Sequence, residues 1–177
     1  MIKLYVVRHG RTDWNDRNQL QGRMDIPLNE KGKEEALKLL ESFPSDSYDV
    51  CFCSPMLRAK ETAEILTDGK RKIIYDDLLL ERDLGEYEGD FLDKEKIKNM
   101  WNPAFDFAKK KIESPEEVLL RAKTFLSKLK SYQDKKILIV SHGAFIKALH
   151  YTIIGYDSNT DFSSFHPENT TVYTYEI

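Results

Sequence analysis

The sequence predicts an α/β fold on a mostly parallel sheet, and three observations carry that prediction. Short apolar runs rich in β-branched and aromatic residues recur along the chain. Capped helical patterns lie between them, the alternation that parallel strands require. No repeat, low-complexity tract or Gly/Ser/Pro linker divides the 177 residues, so residues 1–177 are expected to form a single domain.

Ile2-Lys3-Leu4-Tyr5-Val6-Val7 predicts a buried first strand. Asn29 caps a predicted helix running to about Ser42, with Ala36, Leu37 and Leu40 as its apolar stripe. Residues 49–53 form the second strand, on which Cys51 and Cys53 face the same side and read as small reduced core residues. Ser54-Pro55 reads as the N-cap and first residue of the next helix, which puts Arg58 in its first turn. Residues 72–75 form a short third strand. Residues 81–113 are irregular apart from one helix across 93–101. Ser114-Pro115-Glu116-Glu117 is a capping box before a long helix ending near Lys130. Ile137-Leu138-Ile139-Val140 is the most apolar strand; a helix to about Tyr151 follows, and residues 171–175 close the fold.

Bulk composition excludes several classes. Hydrophobic residues make up 41% and charged residues 32%, an ordinary globular balance. A net charge of −3 argues against a nucleic-acid partner but permits a locally positive site. No apolar run approaches the ~20 residues of a membrane span, and no secretory signal precedes the first strand. A cytoplasmic location without a membrane partner is therefore expected. The two cysteines and the scattered histidines do not complete a metal site.

The chemistry concentrates at strand ends. Arg8-His9-Gly10 follows the first strand and Ser141-His142-Gly143 follows the most apolar one. If those strands are neighbours, both imidazoles reach the carboxyl edge of the sheet, where open α/β folds bind ligands. Arg8 and Arg58 supply guanidinium forks suited to phosphate oxygens. The helix start beside Arg58 adds free N–H donors. Two nearby arginines depress the pKa of His9 and favour a neutral, nucleophilic ring. His142 is placed to donate to a phosphoryl oxygen, and Glu81 to protonate a leaving alkoxide. Covalent catalysis by histidine splits one hard displacement into two easier ones. Each triplet alone is a weak signal; the joint placement is a strong one.

Further residues carry less. His150 reads as a surface or groove residue, and His166 as a loop residue that could border the pocket. Trp14 and Arg11 lie near the phosphate pocket by sequence. Phe91, Trp101, Phe105 and Phe107, with Lys94, Lys96 and Lys98, read either as a cap over the core or as a lid selecting the organic part of a substrate.

Several stretches together resemble the histidine phosphatase superfamily, also called phosphoglycerate mutase-like. They are Val7-Arg8-His9-Gly10-Arg11-Thr12 with Asn15, residues 21–32 from Gln21-Gly22-Arg23 to Gly32, residues 54–63 around Arg58, residues 81–89 from Glu81 to Gly89, and Val140-Ser141-His142-Gly143. The resemblance covers nearly the whole chain. It implies a three-layer α/β/α sandwich around a mixed, mostly parallel six-stranded sheet. It implies phosphorylation of His9, a phosphate pocket of Arg8, Arg58 and His142, a hydrogen bond from Asn15, and Glu81 as acid and then base. Gln21, Gly22 and Gly143 join the expected substrate-binding residues, Gln21 and Arg23 belonging to a segment that lines the substrate mouth in relatives. No metal or cofactor is implied. The expected partner is a small phosphorylated substrate, and the chain is expected to be a monomer or homodimer.

Departures from the mutase branch point to hydrolysis. Cofactor-dependent mutases usually carry Glu-Arg-His-Tyr-Gly; here Leu84 replaces the tyrosine in Glu81-Arg82-Asp83-Leu84-Gly85. Mutases also carry paired arginines in the following insertion, whereas residues 90–113 contain none. The mutase C-terminal tail has no counterpart here. The reading is a phosphomonoester hydrolase of the small phosphatase branch. A cofactor-dependent phosphoglycerate mutase or related phosphotransferase is the enzymatic alternative, and a non-catalytic phosphate-binding module is the second.

Overall fold

The computed structural model describes residues 1–177. Strands β1 (Lys3–Arg8), β2 (Val50–Cys53), β3 (Ile73–Tyr75), β4 (Lys136–Ser141) and β5 (Val172–Glu176) form one sheet ordered β3-β2-β4-β1-β5. The first four are mutually parallel and β5 runs antiparallel to β1. The sheet therefore has five strands, not the six implied by the resemblance. Both edges are taken by β3 and β5, and the remaining pairings are single bridges, Arg8 with Asn169 and Gln19 with Phe91. After β3 the Asp76 carboxylate accepts the Leu78 N–H and closes a tight 3-10 turn, so the chain does not run on beside that edge.

Helices are α1 (Asp13–Asp16), α2 (Glu30–Ser42), α3 (Leu57–Thr67), α4 (Lys94–Asn99), α5 (Pro115–Leu129) and α6 (Gly143–Ile154). Strand alternation divides the core into two faces. Leu4, Val6, Phe52, Ile137 and Ile139 pack with Phe125 of α5 and Phe145 of α6. Val7, Cys51, Cys53, Leu138 and Val140 pack with Ala59, Ala63 and Leu66 of α3, and Leu39, Leu40 and Phe43 of the α2 segment close over them. The result is helix, sheet and helix in three layers. No helix is long and apolar enough to cross a membrane.

Two local expectations are corrected. Leu37 is 52% exposed, and Leu39 takes the inward place beside Leu40 on α2. Ser54 does not cap α3, which starts at Leu57 after Met56. The Ser54 hydroxyl instead accepts the Met56 N–H at 3.3 Å, and Asp25 reaches from a distant loop to accept the Leu57 N–H at 2.7 Å. Arg58 still falls in the first helical turn. Residues 81–113 hold a separate small core, in which Leu84, Phe107 and Ile112 are buried against Leu20, Tyr87, Met100 and Phe105.

Candidate active site

Strand register brings the two histidines together. Arg8 on β1 lies opposite Ser141 on β4, and the His9 N–H donates to the Ser141 carbonyl at 3.0 Å. Each strand's next residue is a histidine, so the rings meet with centroids 5.2 Å apart. Gly10 then passes so close to α2 that a Cβ on it would stand 2.6 Å from the Gly32 carbonyl oxygen. Glycine at both positions lets this loop seat against the helix.

The hydrogen bonds of His9 fix its tautomer. Its Nδ1 lies 2.7 Å from the Gly10 carbonyl, which can only accept, so Nδ1 carries the proton. Its Nε2 lies 3.2 Å from Arg58 Nε, which can only donate, so Nε2 presents a lone pair. Burial, then the charges of Arg58 and Arg8, hold the His9 pKa well below its ordinary value, and the Gly10 bond only partly offsets them. The ring is neutral at neutral pH.

Arg58 is wholly buried and commits one donor of each terminal nitrogen to backbone, the Met24 carbonyl at 2.8 Å and the Gly22 carbonyl at 2.9 Å. Burial lowers its pKa to about 10, which leaves it charged. Arg8 donates to the Pro167 carbonyl at 2.9 Å, and its Nε has no partner in the protein. Its guanidinium stands 3.5 Å from where a Gly143 Cβ would be, so Gly143 backs the pocket closely.

Glu81 sits at the start of α6. Its carboxylate accepts the N–H groups of Ala144 at 3.1 Å and Phe145 at 3.2 Å, and that of Arg82 at 2.8 Å. The favourable end of a helix dipole thus holds the carboxylate at the rim. Of the helix-start amides near Arg58 expected to face the ligand, those of Met56 and Leu57 are taken by Ser54 and Asp25. The α6 start fills that place instead.

These groups border one cavity of about 410 Å³. Arg8, His9, Asn15, Gln21, Gly22, Arg58, Glu81 and Gly143 all line it. His142 does not. It is fully buried behind His9, with Nε2 bonded to Ser54 Oγ at 2.7 Å and Nδ1 without a partner. Its pKa is also depressed, by burial first and by Arg58 next. Asn15 belongs to the capping box of α1: its Oδ1 accepts from Thr12, which leaves its Nδ2 as the donor for a ligand. Gln21 is tied to the Thr12 hydroxyl at 3.0 Å.

Of the residues given less weight above, Arg11, Trp14 and His166 line the cavity. Arg23 does not; its Nε donates to the Glu81 carbonyl at 2.6 Å and so buttresses that residue's backbone. His150 is structural, bonded to the Tyr175 hydroxyl and stacked on Phe165. From the lid segment, Leu84, Leu92, Ile97, Met100 and Trp101 form the apolar wall, whereas Phe91, Phe105 and Phe107 stay outside it. Sequence reasoning missed Lys147, a cavity-lining lysine on α6 that is only 6% exposed. Its signal was its place one helical turn beyond Gly143.

Comparison with known proteins identifies the family. The family model of the histidine phosphatase superfamily (branch 1) matches residues 4–177. The uncharacterized phosphatase PhoE of Bacillus subtilis (strain 168) is 39% identical over 159 residues, covering 89% of this chain and 80% of that protein. The probable phosphoglycerate mutase GpmB of Salmonella choleraesuis (strain SC-B67) is 34% identical over 163 residues, covering 88% and 76%. The crystal structure of the phosphoserine phosphatase of Entamoeba histolytica in complex with 3-phosphoglyceric acid superposes with a TM-score of 0.84 at 27% identity, over 98% of this chain and 90% of that one. The chain belongs to the histidine phosphatase superfamily, branch 1, and is a phosphatase.

Proposed function

We propose that this protein hydrolyses small phosphomonoesters by two displacements at His9 Nε2. The observation that carries the proposal is the fixed tautomer of His9, whose unprotonated Nε2 accepts from Arg58 Nε at the wall of a cavity that both guanidinium groups line. In the first step Nε2 attacks phosphorus and a P–N bond forms. The ester P–O bond breaks, and the departing alkoxide takes a proton from the Glu81 carboxylic acid. Arg8 and Arg58 bear on the phosphoryl oxygens, while the Asn15 Nδ2 and Gly143 N–H add neutral donors; His142, expected from the sequence to donate to the phosphoryl group, stands behind His9 and outside the cavity. In the second step the Glu81 carboxylate takes a proton from water, the water oxygen attacks phosphorus, and the P–N bond breaks. Inorganic phosphate leaves and neutral His9 returns. The apparatus works by positioning and charge neutralisation, which is most of what phosphoryl transfer needs.

The mutase alternative uses the same first step and differs in the acceptor. A relative carries a mutase name, so the distinction needs a direct experiment. Incubation with 3-phosphoglycerate and catalytic 2,3-bisphosphoglycerate is expected to release inorganic phosphate without isomerisation. Formation of 2-phosphoglycerate with no free phosphate would replace hydrolysis by the mutase reading.

Glu81→Gln tests the acid role. The amide cannot supply the proton, so the loss should follow leaving-group basicity. Alkyl phosphates are expected to slow by roughly 10² to 10⁴ in kcat, and p-nitrophenyl phosphate, whose leaving group departs unaided, by much less in the phosphorylation step. Equal slowing of that step for both esters, measured in single-turnover bursts, would remove Glu81 from this role.

A further inference from the structure

The cavity's cations are unequally committed. Arg8 and Arg58 flank His9. Arg11 is paired with Asp16 at 3.0 Å and Glu35 at 3.1 Å. Lys147 has no hydrogen bond and no salt bridge, although its side chain is almost entirely withdrawn from solvent. Its ammonium lies 5.6 Å from the centre of the Trp101 ring, which is itself stacked on Phe162 at 5.0 Å. The lysine opens on the cavity and has no carboxylate within salt-bridge distance, Asp161 acting on it only from further away, so an anion entering the cavity meets an uncommitted charge. Burial lowers its pKa to about 8, with Asp161 opposing and Arg82 reinforcing that shift, so it remains mostly charged at neutral pH.

Position gives this charge a use. Gly143, Ala144 and Lys147 lie along one cavity-facing stripe of α6. Gly143 backs the Arg8 guanidinium, and Lys147 is four residues further, roughly 6 Å along the axis. Helical side chains lean toward the N-terminal end, so the lysine stem leans back toward the phosphate end of the cavity. We infer that Lys147 anchors a second anionic group, a carboxylate or second phosphate, carried a few bonds from the phosphoester of the substrate. The inference rests on the hydrolase reading above. It makes the substrate a compact acidic metabolite gripped at both ends, with the Trp101 face and the apolar wall against its carbon skeleton. The lysine is a specificity residue; it touches no reacting atom.

The test uses substrates that differ at one end. 3-Phosphoglycerate and glycerol 1-phosphate share a skeleton and exchange a carboxylate for a hydroxymethyl group; propane-1,3-diol bisphosphate supplies a second phosphate. Wild-type protein is expected to prefer at least one of the two acidic compounds by kcat/KM, and which one it prefers identifies the anion. Lys147→Met is expected to lower kcat/KM for the preferred acidic compound about tenfold or more beyond its effect on glycerol 1-phosphate, chiefly through KM. Lys147→Arg is expected to restore most of that difference. Equal losses on all compounds, no loss on any, or a wild-type preference for glycerol 1-phosphate would overturn the inference. Should Lys147→Met fail to fold, Lys147→Gln carries the same comparison. Failure of wild-type protein to release phosphate even from p-nitrophenyl phosphate would instead overturn the hydrolase reading, and this inference with it.

Discussion

His9→Ala is expected to reduce turnover by roughly 10⁴-fold or more, because no other group can accept the phosphoryl. His142 cannot substitute: it is fully buried, outside the cavity lining, with Nε2 engaged by Ser54. Arg8 and Arg58 remain, so the variant should still bind phosphate, and its Kd for product or vanadate should change far less than kcat. A second readout is covalent. Wild-type protein quenched in base during turnover of labelled ester should carry label stable to alkali and released by acid, the behaviour of a P–N bond, whereas His9→Ala should carry none. Turnover in His9→Ala above a tenth of wild type, or label retained by that variant, would place the nucleophile elsewhere. The experiment separates chemistry from binding because the two functions sit on different side chains. The nucleophile is a neutral imidazole, and the affinity for anions comes from guanidinium groups on β1 and α3.

Local signals and long-range ones differed in how well the sequence carried them. The juxtaposition of His9 and His142 was readable because each follows an apolar strand, and neighbouring parallel strands in register must deliver successive residues to one edge. The helix ends at Asn29 and Ser114 were readable because capping is written within four residues. The start of α3 was not, since its cap is Asp25, from a loop 32 residues earlier, and Ser54 is drawn away by a histidine 88 residues later. Hydrogen bonds of that span leave no local pattern. Leu39 rather than Leu37 turns inward because Ala36, Leu39, Leu40 and Phe43 share one face at helical spacing, a pattern the stripe through Leu37 overlooked. The sixth strand came from resemblance, whereas the apolar runs themselves had indicated five. Lys147 escaped notice because a single lysine in an apolar helix ordinarily snorkels to solvent. Here Trp101 and the 81–113 segment cover it.

Arg58→Met should separate activity from stability. Loss of the guanidinium beside the transferring phosphoryl is expected to lower kcat/KM by about 10³. Stability has opposing parts. The variant strands the carbonyls of Gly22 and Met24, at about 1–3 kcal/mol each where water cannot reach. It also removes a fully buried charge whose fall from 12.5 to about 10 corresponds to about 3 kcal/mol of unfavourable environment. The two nearly cancel, so the net change at pH 7.5 is expected within about 2 kcal/mol of zero. The dependence on pH is more telling. Below pH 6.5 the unfolded chain protonates His9 and His142, while the folded rings, depressed by burial and by Arg58, stay neutral. The unfolded state then binds more protons, and wild-type stability falls with falling pH by up to about 1.4 kcal/mol per pH unit for each ring. Arg58→Met removes the first-ranked positive charge acting on both rings, raises their folded pKa values, and should make that fall shallower. Denaturant unfolding at pH 7.5, 6.0 and 5.0 measures it. A variant as acid-sensitive as wild type would mean that burial and the remaining charges, Arg8 among them, keep the rings neutral, and that Arg58 serves the phosphate without tuning the nucleophile.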